Sequence, residues 1–283
     1  MKLKRVIVSA PFGNWIEHPL ATSTLGTYTV ENRAGWRRWW MLWRILWTLR
    51  PIPRLGAWVN KLGLPSPGIK SLVDAHGQDL KSGSLRWHIE MMNDPMKTPR
   101  APWNGLEDRI VSIHGFDEDE WNVLLGFMTE LRPGWIEMNV SCPNVGELSV
   151  PKDLFTRAVA TGVPVIVKLP PVRYWETFIA AHDAGVRIFH LTNTLPVPCG
   201  GLSGKPLKAV ALDVVKRVKD AKRDVTVIGG GGITGPEDVV DYAKAGADHF
   251  AVASAFLSLW RKKSRSDLIS TIAGAAAGVS SST

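Results

Sequence analysis

From about residue 110 onward, short apolar runs alternate with longer segments of helical period. "RIVSIHG", "WIEMNVS", "VPVIVKLPP", "RIFHLTN", "VTVIGGGG" and "DHFAVASA" are of strand length and apolar throughout, as expected of strands buried on both faces. Between them, "DEDEWNVLLGFMTELR", "KDLFTRAVATG", "YWETFIAAHDAG", "KPLKAVALDVVKRVKDA" and "GPEDVVDYAKAG" have helical periodicity, and three of these end on a glycine, a common helix stop. Strand then helix in succession predicts parallel strands joined by right-handed crossovers. With "RVIVSAPF" and the region around "ATSTLGTYT", the strand count reaches eight. The expected fold is α/β, a single-domain (β/α)8 TIM barrel; a doubly wound open sheet is the competitor, because the same alternation builds it.

Three stretches depart from this rhythm. Residues 65–109, including "KSGSLRWHIEMMNDPMKTPRAPWNG", read as an excursion over one barrel end. Residues 273–283, "AGAAAGVSSST", read as a flexible tail. Residues 35–54, "GWRRWWMLWRILWTLRPIPR", hold five of the 13 tryptophans. At helical spacing Trp36, Trp39, Trp40, Trp43 and Trp47 share one side, with Arg37, Arg44 and Thr48 as a narrow polar strip. Such a segment suits peripheral contact with an anionic membrane; a buried helix or a homodimer interface is the alternative, since Trp and Arg are enriched there too.

Composition narrows the class only modestly. A length of 283 residues suits one barrel, and 45% hydrophobic with 21% charged residues describes a folded globular chain. Two cysteines cannot build a disulfide framework, so a reduced, cytoplasmic setting is expected. The apolar run near the start stops at Pro11 and Gly13, too early for a signal peptide, and no stretch reaches the roughly 20 apolar residues of a membrane span. A net charge of +8 suits anionic partners without selecting one, and no nucleic acid is expected.

In a barrel of this kind, chemistry belongs at the C-terminal strand ends. Asn139, Ser141, Cys142 and Asn144 end one strand, Lys168 the next, and Asn193 with Thr194 the one after. An ammonium between "VIV" and "LPP" is costly without a partner; a ligand anion or carbonyl is expected, and an ion pair inside the barrel is the alternative. "VIGGGGITGPEDVV" reads as a glycine loop entering a helix, with Thr234 as cap and Pro236 near the first turn, suited to a phosphate. Carboxamides donate and accept hydrogen bonds, so Asn139, Asn144 and Asn193 together could read a flat ring carrying C=O and N–H groups. Cys142 is open to two readings, an inert buried thiol or an acid–base group; it lacks companions for a metal site, and no metal is expected.

In order along the chain, "EMNVSCPNV", "VIVKLPP", "LTNT", "GGLSGKPL", "VIGGGGI" and "AVASAF" resemble the motifs of the dihydroorotate dehydrogenases, and "TSTLGTYT" and "VNKLGLPSPG" resemble that family's flavin-edge strand and substrate loop. The resemblance covers most of residues 106–257. It implies an FMN cofactor and oxidation of dihydroorotate to orotate, with Cys142 as the base and hydride passing to the flavin N5. It also implies that Asn60, Asn139, Asn144, Asn193 and Thr194 hold the pyrimidine. Lys168 then touches the flavin ring; Gly26 and Thr27 lie on its edge, Gly204 beside it, and Gly231, Gly232, Ala253 and Ser254 around its phosphate.

The chain also departs from that pattern. "SAPFGNWIEHPLATST" is shorter than the family's first strand–helix–strand unit, "TSTLGTYT" lacks the substrate lysine of the soluble branch, and the segments after Cys142 and Asn193 are abbreviated. "GGLSGKPL" resembles the quinone-linked branch, whereas a cysteine base belongs to the soluble one. A flavin enzyme of another dihydropyrimidine, a non-catalytic flavin-binding barrel and a flavin-free phosphate-binding barrel are the alternatives.

Overall fold

The computed structural model describes residues 2–33, 48–61, 63–76, 105–141, 150–151, 153–257 and 264–280. Strands β1 (Val6–Val8) and β2 (Ala21–Tyr28) pair in parallel, after which β3 (Leu49–Ile52) and β4 (Ala57–Asn60) leave the barrel. Strands β5 (Ile110–Ile113), β6 (Trp135–Asn139), β7 (Val165–Leu169) and β8 (Ile188–Leu191) resume it in order. A second departure forms β9 (Leu195–Val197) and β10 (Gly200–Gly204), and β11 (Thr226–Gly230) and β12 (His249–Val252) complete the ring. Pairing of β12 with β1 closes an eight-stranded parallel barrel, which rules out the open sheet.

The four strands outside the barrel make a small antiparallel sheet in the order β3–β4–β10–β9. It joins chain that follows β2 to chain that follows β8, with Asn60 opposite Gly201. The described α-helices are α1 (Ile69–His76), α2 (Glu118–Leu131), α3 (Leu154–Ala160), α4 (Trp175–Asp183), α5 (Leu207–Ala221), α6 (Pro236–Lys244) and α7 (Arg265–Ser280). The start of α2 is written in its sequence: the N-cap Asp117 carboxylate accepts from Glu120 N at 2.8 Å, and the Glu120 carboxylate accepts from Phe116 N at 3.0 Å.

Apolar residues bury in two separate layers, as a filled barrel requires. Leu3, Ile7, Ile110, Trp135, Ile166, Ile228 and Ala251 fill the interior. The larger layer lies between strands and helices, where Phe178 of α4 meets Phe189 of β8 edge to face at 4.7 Å. Each such fully buried ring stabilises the fold by about 1.5–3 kcal/mol. The plug of isoleucines occupies only part of the interior, and the polar network described below fills the rest.

Several departures from the sequence expectation have physical causes. The tail expected from residue 273 is helical through Ser280, because Ile269, Ile272 and Ala276 of α7 are completely buried and Ala276 O accepts a bond from Arg5 at 3.4 Å. Residues Leu49–Ile52, at the end of the Trp/Arg segment, form a strand because β4 offers them an edge. Residues 34–47 of that segment and 77–104 of the expected excursion lie outside the described residues. Among the described residues, no helix is long and apolar enough to cross a membrane.

Candidate functional site

Strand alternation sends every second side chain into the barrel. In the register of β6, β7 and β8, Asn139, Lys168 and His190 stand side by side, and Glu137 lies one inward position below Asn139. Ser112 of β5 is opposite Glu137. A tier of polar groups therefore rests on the isoleucine layer, beneath the mouth formed by the C-terminal strand ends.

The tier is bonded across strands. The Glu137 carboxylate accepts from Nδ1 of His190 at 2.7 Å, and the Lys168 ammonium stands 3.7 Å from its other oxygen. The Ser112 hydroxyl contacts Thr27 Oγ1 at 3.0 Å, and Asn139 Nδ2 donates to that same Thr27 oxygen at 3.3 Å. Asn193 Nδ2 donates to Asn139 Oδ1 at 3.1 Å and to the Ser141 carbonyl and hydroxyl oxygens, each at 3.1 Å. Thr194 N donates to Asn193 Oδ1 at 2.8 Å. His114, wholly buried at the end of β5, contacts the Asn139 carbonyl through Nδ1 at 2.7 Å, which ties the end of β6 to its neighbour.

Charge in this tier follows from its surroundings. Burial opposes ionisation of Glu137, but Lys168, His190 and the hydrogen bonds to His190 and Ser112 outweigh it and hold the carboxyl down at about 2. Burial and the Lys168 charge keep His190 below its ordinary value despite Glu137. Burial does the same to His114. Glu137 is thus an anion that can only accept, so the neutral His190 must donate to it from Nδ1. Lys168 has its charge partner inside the barrel, the reading set second in the sequence. At 3.7 Å the pair is too far apart to hydrogen-bond, and among the described residues no acceptor takes a hydrogen bond from Nζ.

The glycines form a second part of the site. Gly204 at the end of β10 has φ +96°, and a Cβ there would fall 2.3 Å from Gly56 O. Gly232 has φ +74°, and its Cβ would fall 2.9 Å from Gly204 O, so the two chains approach backbone to backbone. Tyr242 of α6 donates to Gly231 O at 2.7 Å and steadies this loop. The start of α6 corrects the expected Thr234 cap. The Asp238 carboxylate accepts from Thr234 N, Thr234 Oγ1 and Gly235 N at 2.7, 2.9 and 3.2 Å. That helix end is therefore supplied with its own anion by Asp238. Gly232→Val is expected to weaken binding of a phosphate group at this loop about tenfold or more, the effect of losing one hydrogen bond to a charged group, as read by equilibrium titration. Backbone strain should cost a further ~1–2 kcal/mol of fold stability, as read by thermal unfolding.

Of the site residues inferred from sequence, the structure joins Thr27, Asn139, Asn193 and Thr194 in one network, with Lys168 beside Asn139. Gly204 meets Gly232, Gly231 adjoins it, and Ala253 and Ser254 follow β12. Gly26, at φ +81°, spends its N–H on Asn14 Oδ1 at 3.0 Å. Asn60 stands apart on β4, its amide donating to Gly201 O at 3.4 Å. Cys142 and Asn144 lie outside the described residues. Glu137, Ser112, His114 and His190 are additional site residues. Their signal is a polar residue at every second position of an otherwise apolar strand.

The family model for dihydroorotate dehydrogenase matches residues 50–263. The dihydroorotate dehydrogenase B (NAD(+)) catalytic subunit of Methanocaldococcus jannaschii is 31% identical over 225 residues, which span 70% of this chain and 66% of that protein. Its namesake in Lachnoclostridium phytofermentans is 27% identical over 278 residues, 87% of this chain and 82% of that one. A dihydroorotate dehydrogenase A (fumarate) of Limosilactobacillus reuteri is 33% identical over 173 residues, 52% of this chain and 56% of that protein. The crystal structure of ligand-free DHODH from Eimeria tenella superposes with a TM-score of 0.71 over 97% of this chain and 84% of that one, at 16% identity, a likeness of fold alone.

Proposed function

Because the chain belongs to the dihydroorotate dehydrogenase family, we propose that it is a flavin-dependent oxidoreductase whose barrel mouth holds FMN and a dihydropyrimidine, with dihydroorotate as the substrate. The residues fit that cofactor. Gly204 and Gly232 bring two chain segments into backbone-to-backbone contact, an approach that a Cβ at either position would block. A buried ammonium, not hydrogen-bonded to its counter-ion, stands in the same interior. Gly231, Gly232, Ala253 and Ser254 would hold the phosphate, and Thr27, Asn139 and Lys168 the ring.

The observation that carries the reading is the bonding state of the two described carboxamides. Among the described residues, Asn139 spends one N–H on Thr27 and one acceptor site on Asn193, which leaves it a second N–H. Asn193 spends its N–H groups on Asn139 and Ser141 and one oxygen lone pair on Thr194, which leaves it an acceptor site. A neighbouring donor and acceptor match the C=O and N–H edge of a pyrimidine ring.

Bound FMN supplies the hydride acceptor that turns a ring C–C bond into C=C. Cys142, as its thiolate, would take the proton from the carbon beside a ring carbonyl. Asn139, Asn193 and Thr194, with Asn60 and Asn144, orient the ring, and Lys168 stabilises negative charge as it develops. Anaerobic addition of dihydroorotate should bleach the FMN-loaded protein. A second reading, an uncharged dihydropyrimidine, is favoured by the absence of a cation along β2, "ATSTLGTY". Bleaching by 5,6-dihydrouracil but not by dihydroorotate would select it, and bleaching by neither would remove the catalytic reading.

A further inference from the structure

The Glu137–His190 pair is used by none of the roles above, although it is a deeply buried polar contact beneath the mouth, with each side chain at most 2% exposed. An unrestrained carboxylate and ammonium at this distance would close to a direct bond of about 2.7–2.9 Å. Here they remain at 3.7 Å, and Glu137 Oε1 has no hydrogen-bond partner among the described residues. His190 holds the other oxygen at 2.7 Å, and Ser112 of β5 also contributes a hydrogen bond to the carboxyl.

Gly230 leaves room for that imidazole. A Cβ at Gly230 would stand 3.0 Å from Ala251 Cβ and 3.4 Å from His190 Nε2, so any larger residue would press on the ring. The charged groups facing His190 are Glu137 and Lys168; its other strand neighbour, β11, presents Ile228.

We propose that His190 is a positioning residue for Lys168. By donating Nδ1–H to Glu137 it keeps the carboxylate from closing on the ammonium, so that Lys168 remains near its counter-ion yet presents its N–H groups upward to the electron-rich edge of the bound ring. This inference rests on the flavin reading. It goes beyond that reading by assigning control of the lysine to a residue that touches neither cofactor nor substrate.

The test compares His190→Leu, which removes the donor, with His190→Asn, whose amide nitrogen can occupy the place of Nδ1. The quantity read is the two-electron midpoint potential of bound FMN, with circular dichroism as the check on folding. In His190→Leu, Glu137 closes on Lys168, and the preference for reduced over oxidised flavin should fall about tenfold, a shift of about 30 mV to more negative potential. His190→Asn should stay near the wild type. In the flavin-free wild-type chain, 15N NMR should find the His190 ring neutral and protonated at Nδ1 between pH 6 and 8. An unchanged potential in His190→Leu, an equal shift in both variants, or an Nε2-protonated ring would each overturn the proposal. If His190→Leu does not fold, the Asn variant and the tautomer decide. A wild type that takes up no FMN removes the functional reading and this inference with it, whereas FMN uptake with an unresponsive potential removes this inference alone.

Discussion

Cys142→Ala is expected to bind FMN as the wild type does and to reduce it with dihydroorotate about 10²–10⁴-fold more slowly, the usual contribution of a positioned acid–base group. The expectation rests on the chemistry around the thiol in sequence. Its neighbour Ser141 is gripped through carbonyl and hydroxyl by Asn193, whose carboxamide is bonded in turn to Asn139. The last described residue before the cysteine is thus bonded to one of the two amides assigned to the ring, and through it to the other. Stopped-flow bleaching at 450 nm measures the rate. Cys142→Ser should retain part of the activity with its optimum moved to higher pH, because a hydroxyl is a weaker acid than a thiol. Bleaching of the alanine variant at the wild-type rate would take the thiol out of the reaction.

Glu137→Ala is expected to destabilise the fold by about 3–5 kcal/mol, the penalty for leaving one member of a buried ion pair without its partner. Lys168 would lose its only described counter-charge and His190 the acceptor for its Nδ1–H. Urea unfolding measures the loss, and a change under 1 kcal/mol would mean that water or chain movement replaces the carboxylate.

Acid should act on the wild type in two stages. His114, His190 and His249 are held below 6.5 by burial, so the folded state resists a proton that the unfolded chain accepts. Their contribution is complete above about pH 6.5 and declines as pH falls below it. Glu137 has a folded value of about 2 against 4.5, so its contribution is complete above 4.5 and is lost as pH falls toward 2. Melting temperature against pH should therefore fall in two steps as pH drops below about 7, and Glu137→Ala should shrink the lower step without removing it, because Asp224 and Asp238 are also held below their ordinary values.

The barrel was legible because both of its periods are local. The eight strand segments and five helices stand in the sequence as apolar runs and helical repeats, and the structure contains each of them. The small sheet was not legible. Leu49–Ile52 and Leu195–Val197 are short, carry proline and have weak alternation, and they become strands only because β4 and β10 lie beside them. The C-terminal helix was hidden by its small residues: alanine and glycine look like a tail until the surface that buries Ile272 and Ala276 is present.

At the site, residue type alone pointed to Lys168, Asn139 and Asn193, because a lysine or a carboxamide ending an apolar strand requires a partner. Glu137 and His190 escaped because the partner of each lies 53 positions away, a pairing that exists only once β6 and β8 face the same interior. The cap of α6 is Gly235, one residue beyond Thr234, and its supporting carboxylate was missed for a related reason, since Asp238 can reach back to Thr234 and Gly235 only after the helix has formed.

The account turns on the claim that the mouth above Lys168 binds a flavin. The visible absorption spectrum of the protein, recorded after loading with FMN and exhaustive desalting, tests this most directly. The account predicts a yellow protein that keeps the visible absorption of bound flavin, and marked loss of that flavin in Gly232→Val. A colourless protein that releases all added FMN would contradict it.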